Sequence, residues 1–150
     1  MPVTISVAAR TVIVADDTAF VRDRFRTALE TAGHRASTVS TGNELLARIR
    51  QDPAGVDLVV LDLRLPQAHG VSLVRSLRKI DATRPAIVVF SGTIANANEV
   101  RELAELGVSG YVNEYTSVQH ILPSLSPHLF PDQHNRRTSP RVTIGVPVSY

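Results

Sequence analysis

Apolar residues along the 150-residue chain fall into two alternating patterns. Thr11-Val12-Ile13-Val14-Ala15, Val56-Asp57-Leu58-Val59-Val60-Leu61 and Ala86-Ile87-Val88-Val89-Phe90 are short runs rich in β-branched residues. Near-continuous runs of this kind suit strands covered on both faces of a parallel sheet. Between them the spacing becomes helical. Val21, Phe25, Ala28, Leu29 and Ala32 make one stripe that Gly33 can close. A second helix starts at Thr41, whose spacing to Glu44 fits a capping box, buries Leu45, Leu46 and Ile49, and stops before Pro53. A third covers about 70 to 79 with Leu73, Val74 and Leu77 inward, and a fourth runs from about Asn96 to Leu106 with Val100, Leu103 and Leu106 as its apolar positions, then Gly107 as its terminator. Weaker strands fit Arg35 to Val39 and Val108 to Val112. Thr116 with Gln119 offers a cap for a last helix bearing Val118, Ile121, Leu122 and Leu125, which Pro123 should end or kink.

Five strand-helix pairs in this order predict an α/β fold. Right-handed crossovers give a doubly wound parallel sheet with its working site at the carboxyl ends of the strands.

Charge and proline divide the chain near position 123. The 15 arginines and the single lysine, Lys79, face 14 acidic residues, for a net charge of +2. Residues 1 to 125 are balanced, so the excess sits in Arg136, Arg137 and Arg141, and five of the nine prolines also fall from Pro123 onward. The expected organisation is a flexible stretch over 1–9, a domain over 10–125, a linker over 126–135 and a separate segment over 136–150. So small a net charge argues against direct DNA binding by a positive coat. The absence of cysteine removes disulfides, thiolate zinc sites and cysteine nucleophiles. No apolar run approaches the ~20 residues of a membrane span and no signal peptide is evident, so the expectation is a cytoplasmic protein without a membrane partner.

Candidate chemistry lies where strands should end. Asp16 and Asp17 follow the first run and Asp62 follows the third, which delivers three carboxylates to one rim. Such a cluster repels itself unless a divalent cation neutralises it, and oxygen ligands with open positions favour magnesium. Ser91-Gly92 closes the fourth run with a hydroxyl suited to a phosphoryl oxygen. Each piece also has an ordinary reading: Asp17 as a helix cap, Asp62 and Ser91-Gly92 as turn residues. Their joint placement carries the inference.

These segments, with Leu63-Arg64-Leu65-Pro66 and Gly70 after Asp62 and with Gly107-Val108-Ser109-Gly110-Tyr111-Val112, resemble the receiver domain of two-component response regulators. The resemblance covers about residues 10 to 125. It implies a flavodoxin-like (βα)5 sheet in order 2-1-3-4-5 and phosphotransfer to Asp62 from a histidine kinase or phosphotransfer protein. It further implies magnesium at Asp17, Asp62 and the Arg64 carbonyl, with Asp16 acting mostly through water, and a switch pair at Ser91 and Tyr111. A homodimer through the fourth and fifth strand-helix region, and a signalling domain in place of a turnover enzyme, complete the expectation.

One position departs from that family. Where it places a lysine followed by proline after the fifth strand, this chain has Glu114-Tyr115. At an effective dielectric of ~20 and ~4 Å, one unit-charge interaction is worth about 4 kcal/mol as a ceiling, so the exchange weakens an aspartyl phosphate at Asp62 unless Glu114 points away. Arg64 offers a compensating guanidinium, either paired with Glu114 or leaning over the phosphoryl position, though an arginine on a loop is also simply solvated. His69 stands where an aspartate commonly precedes the glycine, with little consequence for chemistry. The alternative function is therefore a pseudo-receiver that binds or dimerises without phosphorylation. A phosphatase of related topology is disfavoured because arginine occupies the second position of the usual Asp-x-Asp.

Arg137 and Arg141, spaced R-x-x-x-R before the alternating run Val142 to Val148, resemble the opening of a PilZ domain. That resemblance implies a cyclic-di-GMP effector. The ligand is expected to bind only if the domain is complete, and the second motif of that family is absent downstream.

Overall fold

The computed structural model describes residues 9–68 and 70–130. Five strands, β1 (Thr11–Ala15), β2 (Arg35–Val39), β3 (Leu58–Leu61), β4 (Ala86–Phe90) and β5 (Gly110–Val112), form one sheet in order β2-β1-β3-β4-β5. All four pairings are parallel. The doubly wound fold expected from the sequence is the one observed.

Strand periodicity explains the layers. Ile13, Val59, Leu61, Ile87 and Val89 point to one face and pack with α2 (Gly42–Gln51), α3 (Gly70–Ile80) and α4 (Ala97–Glu105). Val12, Val14, Leu58, Val60, Val88 and Phe90 point to the other and pack with α1 (Ala19–Thr31) and α5 (Val118–Leu129). On this second face Phe25 meets Phe90 edge to face at 5.2 Å, a geometry worth more than area alone. Because β1, β3 and β4 are flanked on both sides in the sheet and covered on both faces, their residues are apolar without a break apart from Thr11 at the entry of β1.

Local chemistry sets the helix boundaries. The Thr41 hydroxyl accepts from the Glu44 amide at 3.1 Å while the Glu44 side chain accepts from the Ser40 amide at 3.0 Å. The same reciprocal arrangement opens α4, where Asn96 accepts from the Glu99 amide and Glu99 from the Ala95 amide. Gly33 and Gly107 end α1 and the α4 region at φ +92 and +80, a conformation glycine adopts without strain.

Four expectations need correction. Helix α5 does not stop at Pro123; it runs through Pro123 and Pro127 to Leu129. Both prolines are exposed and four residues apart, so the carbonyls they leave unbonded face water, while Ile121, Leu125 and Leu129 bury the opposite stripe. The helix thus occupies positions 126–129, where a linker was expected to begin. Thr116 does not cap α5; its hydroxyl donates to the Asn113 carbonyl, and Ser117 precedes the helix without a side-chain cap. Val100 is exposed and leaves Leu103 as the buried residue of α4, because so short a helix at the sheet margin presents a narrow inner face. Ala32 is likewise exposed, at the C-cap of α1. Arg137, Arg141, His69 and the 1–8 segment lie outside the described residues.

Candidate functional site

Strands β1 and β3 run side by side with Ala15 opposite Leu61, so Asp16 and Asp62 leave the sheet at the same level. Both are nearly buried, at 3% and 5% exposure, and Asp17 beside them is open to solvent. One carboxylate oxygen from each of Asp16, Asp17 and Asp62 lies within 4.8 Å of the others. They line a cleft of about 310 Å³ whose remaining wall includes Thr93, Arg64, Glu114 and Tyr115.

Backbone contacts hold the carboxylates in place. Asp16 Oδ1 accepts from the Thr18 amide at 2.7 Å, and Asp62 Oδ1 accepts from the Arg64 amide at 2.7 Å. Asp16, and not Asp17, therefore supports the turn into α1, which leaves Asp17 free of the capping role open to it in the sequence. The β3–α3 loop is fixed at three points. The Leu63 amide donates to Thr93 Oγ1 at 3.1 Å, the Gly70 amide to the Leu63 carbonyl at 2.8 Å, and the Gly42 amide to the Pro66 carbonyl at 3.0 Å. Gly42 is required for the last of these, since a Cβ there would stand 1.8 Å from the Ala68 carbonyl oxygen.

The electrostatics are those of crowded acids. Burial pushes the Asp16 carboxyl up from 3.8 to about 6, opposed by the Thr18 amide and reinforced by the Asp62 and Asp17 charges. Asp62 is raised for the same first reason; the Arg64 amide opposes the shift, Asp17 adds to it, the Arg64 charge lowers it and Glu114 raises it. Glu114 does not point away. Its carboxylate lies against Gly92, where a Cβ would meet its Oε1 at 2.4 Å.

The donor set fits a hard divalent cation: three convergent carboxylates, two of them desolvated and held charged only at a cost. Asp16, Asp17 and Asp62 would hold it.

Ser91 and Tyr111 are placed differently from the carboxylates. Ser91 is exposed at the start of a 3-10 turn (Ser91–Thr93) after β4, and Tyr111 is 41% exposed on β5. Neither lines the cleft. Of the two hydroxyls at the end of β4, the one on the cleft wall belongs to Thr93, which also donates to the Phe90 carbonyl at 2.7 Å. Thr93 was passed over in the sequence, although Ser91-Gly92-Thr93 offers two hydroxyls at the end of one strand. Arg24 was passed over too: its guanidinium donates to the Glu114 carbonyl at 3.2 Å and to the Thr116 carbonyl, tying α1 to the β5–α5 loop across 90 residues of sequence. No local pattern announces such a partner.

With this geometry in view, comparison with known proteins identifies the class. The response regulator receiver domain family matches residues 12–125, and the chain belongs to that family. It is 28% identical over 120 residues to the two-component response regulator ARR22 of Arabidopsis thaliana, covering 79% of this chain and 82% of that protein. Chemotaxis protein CheY of Halobacterium salinarum is 24% identical, with 79% and 95% covered. A protein-glutamate methylesterase/protein-glutamine glutaminase of Oleidesulfovibrio alaskensis is 31% identical, but the match spans only 28% of its length. Among solved structures, a CheY-like receiver domain protein from Methanospirillum hungatei superposes with TM-score 0.71 at 19% identity, covering 85% of this chain and 99% of that one. The family match ends at residue 125 and lends no support to the cyclic-di-GMP segment expected from Arg137 and Arg141. Among the described residues no helix is long and apolar enough to cross a membrane.

Proposed function

We propose that the chain is a receiver module of two-component signalling whose phosphoryl acceptor is Asp62, with magnesium held by Asp16, Asp17, Asp62 and the Arg64 carbonyl, and that Glu114 makes it a reluctant one. The observation that carries this reading is the convergence of the three carboxylates beside a fourth, Glu114, in one cleft at the carboxyl ends of β1 and β3.

In the transfer, an Asp62 carboxylate oxygen attacks the phosphorus of a phosphohistidine on a kinase or phosphotransfer partner. The new P–O bond forms as the P–N bond breaks, and the departing imidazole keeps the electron pair and takes up a proton. A bound divalent cation supplies charge neutralisation for the phosphoryl oxygens. The protein contributes position: the Arg64 amide orients Asp62 through Oδ1, the Thr18 amide orients Asp16, and Thr93 fixes the loop that carries both Asp62 and Arg64. Glu114 works against the incoming charge, consistent with its effect on Asp62. The module is a signalling domain and turns over no substrate of its own.

The pseudo-receiver reading is favoured by the same Glu114. In that case output passes through protein contacts, and α4, β5 and α5 carry exposed Val100, Tyr111 and Val118 suited to a homodimer. Incubation with magnesium and acetyl phosphate, followed by intact-mass measurement, separates the two. A slow adduct in the wild type, faster in Glu114→Lys and absent in Asp62→Asn, supports the reluctant acceptor. Complete absence in both the wild type and Glu114→Lys leaves the interaction module.

A further inference from the structure

Resting on the reading of Asp62 as acceptor, we propose that the Arg64 side chain is the phosphoryl-pairing cation of this site, reaching it from the β3–α3 loop in place of a cation at the end of β5. Among the described residues, Arg64 is the only cationic side chain that lines the cleft. The two other arginines nearby are committed elsewhere: Arg22 donates to the Asp16 carbonyl at 2.7 Å, and Arg24 donates to the Glu114 and Thr116 carbonyls. Arg64 is exposed, and one of its amino groups donates to the Gly92 carbonyl at 3.0 Å.

That hydrogen bond fixes where the guanidinium sits. Gly92 is also the residue against which the Glu114 carboxylate rests. The Arg64 cation and the Glu114 carboxylate thus meet the same residue without forming an ion pair, while the Arg64 backbone amide holds Asp62. The ion pairs among the described residues, Arg26–Asp23 and Arg84–Asp57, lie away from the cleft. Arg64 is held by a neutral carbonyl and not by a carboxylate, so it can turn to an arriving dianion without breaking an ion pair. A guanidinium has five donors, and one bond to Gly92 leaves the others for phosphoryl oxygens. Its charge already favours the ionised form of Asp62.

The test uses acetyl phosphate. An Asp62 oxygen bonds to phosphorus, the bond from phosphorus to the acetyl oxygen breaks, and acetate leaves with the electron pair; Arg64 stays protonated throughout. Adduct formation is followed by intact mass with magnesium present in the wild type, Arg64→Ala, Arg64→Lys, Glu114→Lys and the double variant Arg64→Ala/Glu114→Lys. All keep the residue-64 carbonyl, and the exposed position at 64 leaves folding intact.

Arg64→Ala should slow modification at least about tenfold, Arg64→Lys should restore most of the rate, and with Glu114→Lys in place the loss on Arg64→Ala should shrink to about threefold or less, because coupled groups are non-additive. A wild-type rate in Arg64→Ala overturns the proposal. So does an undiminished loss in the double variant, or no rescue by Arg64→Lys, since either marks a purely structural residue. An adduct in Glu114→Lys but none in the wild type overturns it as well, while leaving Asp62 as acceptor. No adduct in any variant overturns the acceptor reading itself.

Discussion

The two ends of the sheet treat charge in opposite ways. At the amino ends of the strands, charged and ionisable side chains are spent on the backbone of neighbouring elements. Arg78 donates to the Leu106, Pro85 and Gly107 carbonyls at 2.8, 2.9 and 3.3 Å, joining α3 to the entries of β4 and β5. Asp57 accepts from the Thr11 amide at 2.9 Å, and His34 accepts from the Arg10 amide at 3.0 Å. The Arg10 guanidinium lies 4.9 Å over the Phe130 ring, with its Nε buried and lacking a hydrogen-bond partner. At the carboxyl ends, Asp16, Asp17, Asp62 and Glu114 face one another, with one arginine among them. One end uses charge to close the fold. The other gathers like charges whose mutual repulsion a bound cation would relieve, which is a reason to place function there.

Cutting the amino end should cost most. Arg78→Ala removes three hydrogen bonds from a desolvated guanidinium and is expected to destabilise the domain by about 3 kcal/mol, read as the midpoint shift in urea unfolding. A loss below a third of that would mean that the two ends do not differ as described.

At the carboxyl end the sign should reverse. The Asp16 carboxyl titrates at about 6 in the fold against 3.8 in its absence, so its contribution to stability is present below 3.8 and is lost as pH rises through about 6. Asp16→Asn keeps an acceptor for the Thr18 amide and should stabilise the metal-free protein by ~1–2 kcal/mol at pH 7, with no gain near pH 3.5. Added magnesium should raise the unfolding midpoint of the wild type more than that of the variant.

A smaller effect of opposite slope belongs to His34. Burial, and then the Arg10 charge, lower its pKa, so its contribution is present above 6.5 and is lost as pH falls from 6.5 toward the folded value. His34→Gln should flatten stability on the acid side while leaving the rise from pH 6 to 4 due to Asp16. The smallest change is expected at neither end: Asp23→Ala removes the exposed Arg26 pair at 3.2 Å and should shift stability by less than about 0.5 kcal/mol.

Much of the fold was legible because it rests on local periodicity. β1 and β4 have the bounds that the apolar runs predict, β2 those of the weaker strand expected over Arg35 to Val39, and Asp16, Asp17 and Asp62 converge because each follows a strand whose neighbour is set by the sheet order. What was illegible rests on tertiary balance. Pro123 and Pro127 stay in α5 because burial of Ile121, Leu125 and Leu129 outweighs two missing amides. Thr93, not Ser91, lines the cleft because the turn after β4 rotates the second hydroxyl inward. The partners of Arg24 and Arg78 are carbonyls, and carbonyls carry no side-chain signature.

Gly92 supplies a handle that moves a charge without altering it. A methyl group there would take the space of the Glu114 carboxylate, whose flexible side chain can swing aside. Gly92→Ala would then relocate the acid while the composition of the cleft stays the same, and comparison with Glu114→Gln would separate where that charge lies from whether it exists. In a site defined by acids, one missing β-carbon sets the address of the fourth.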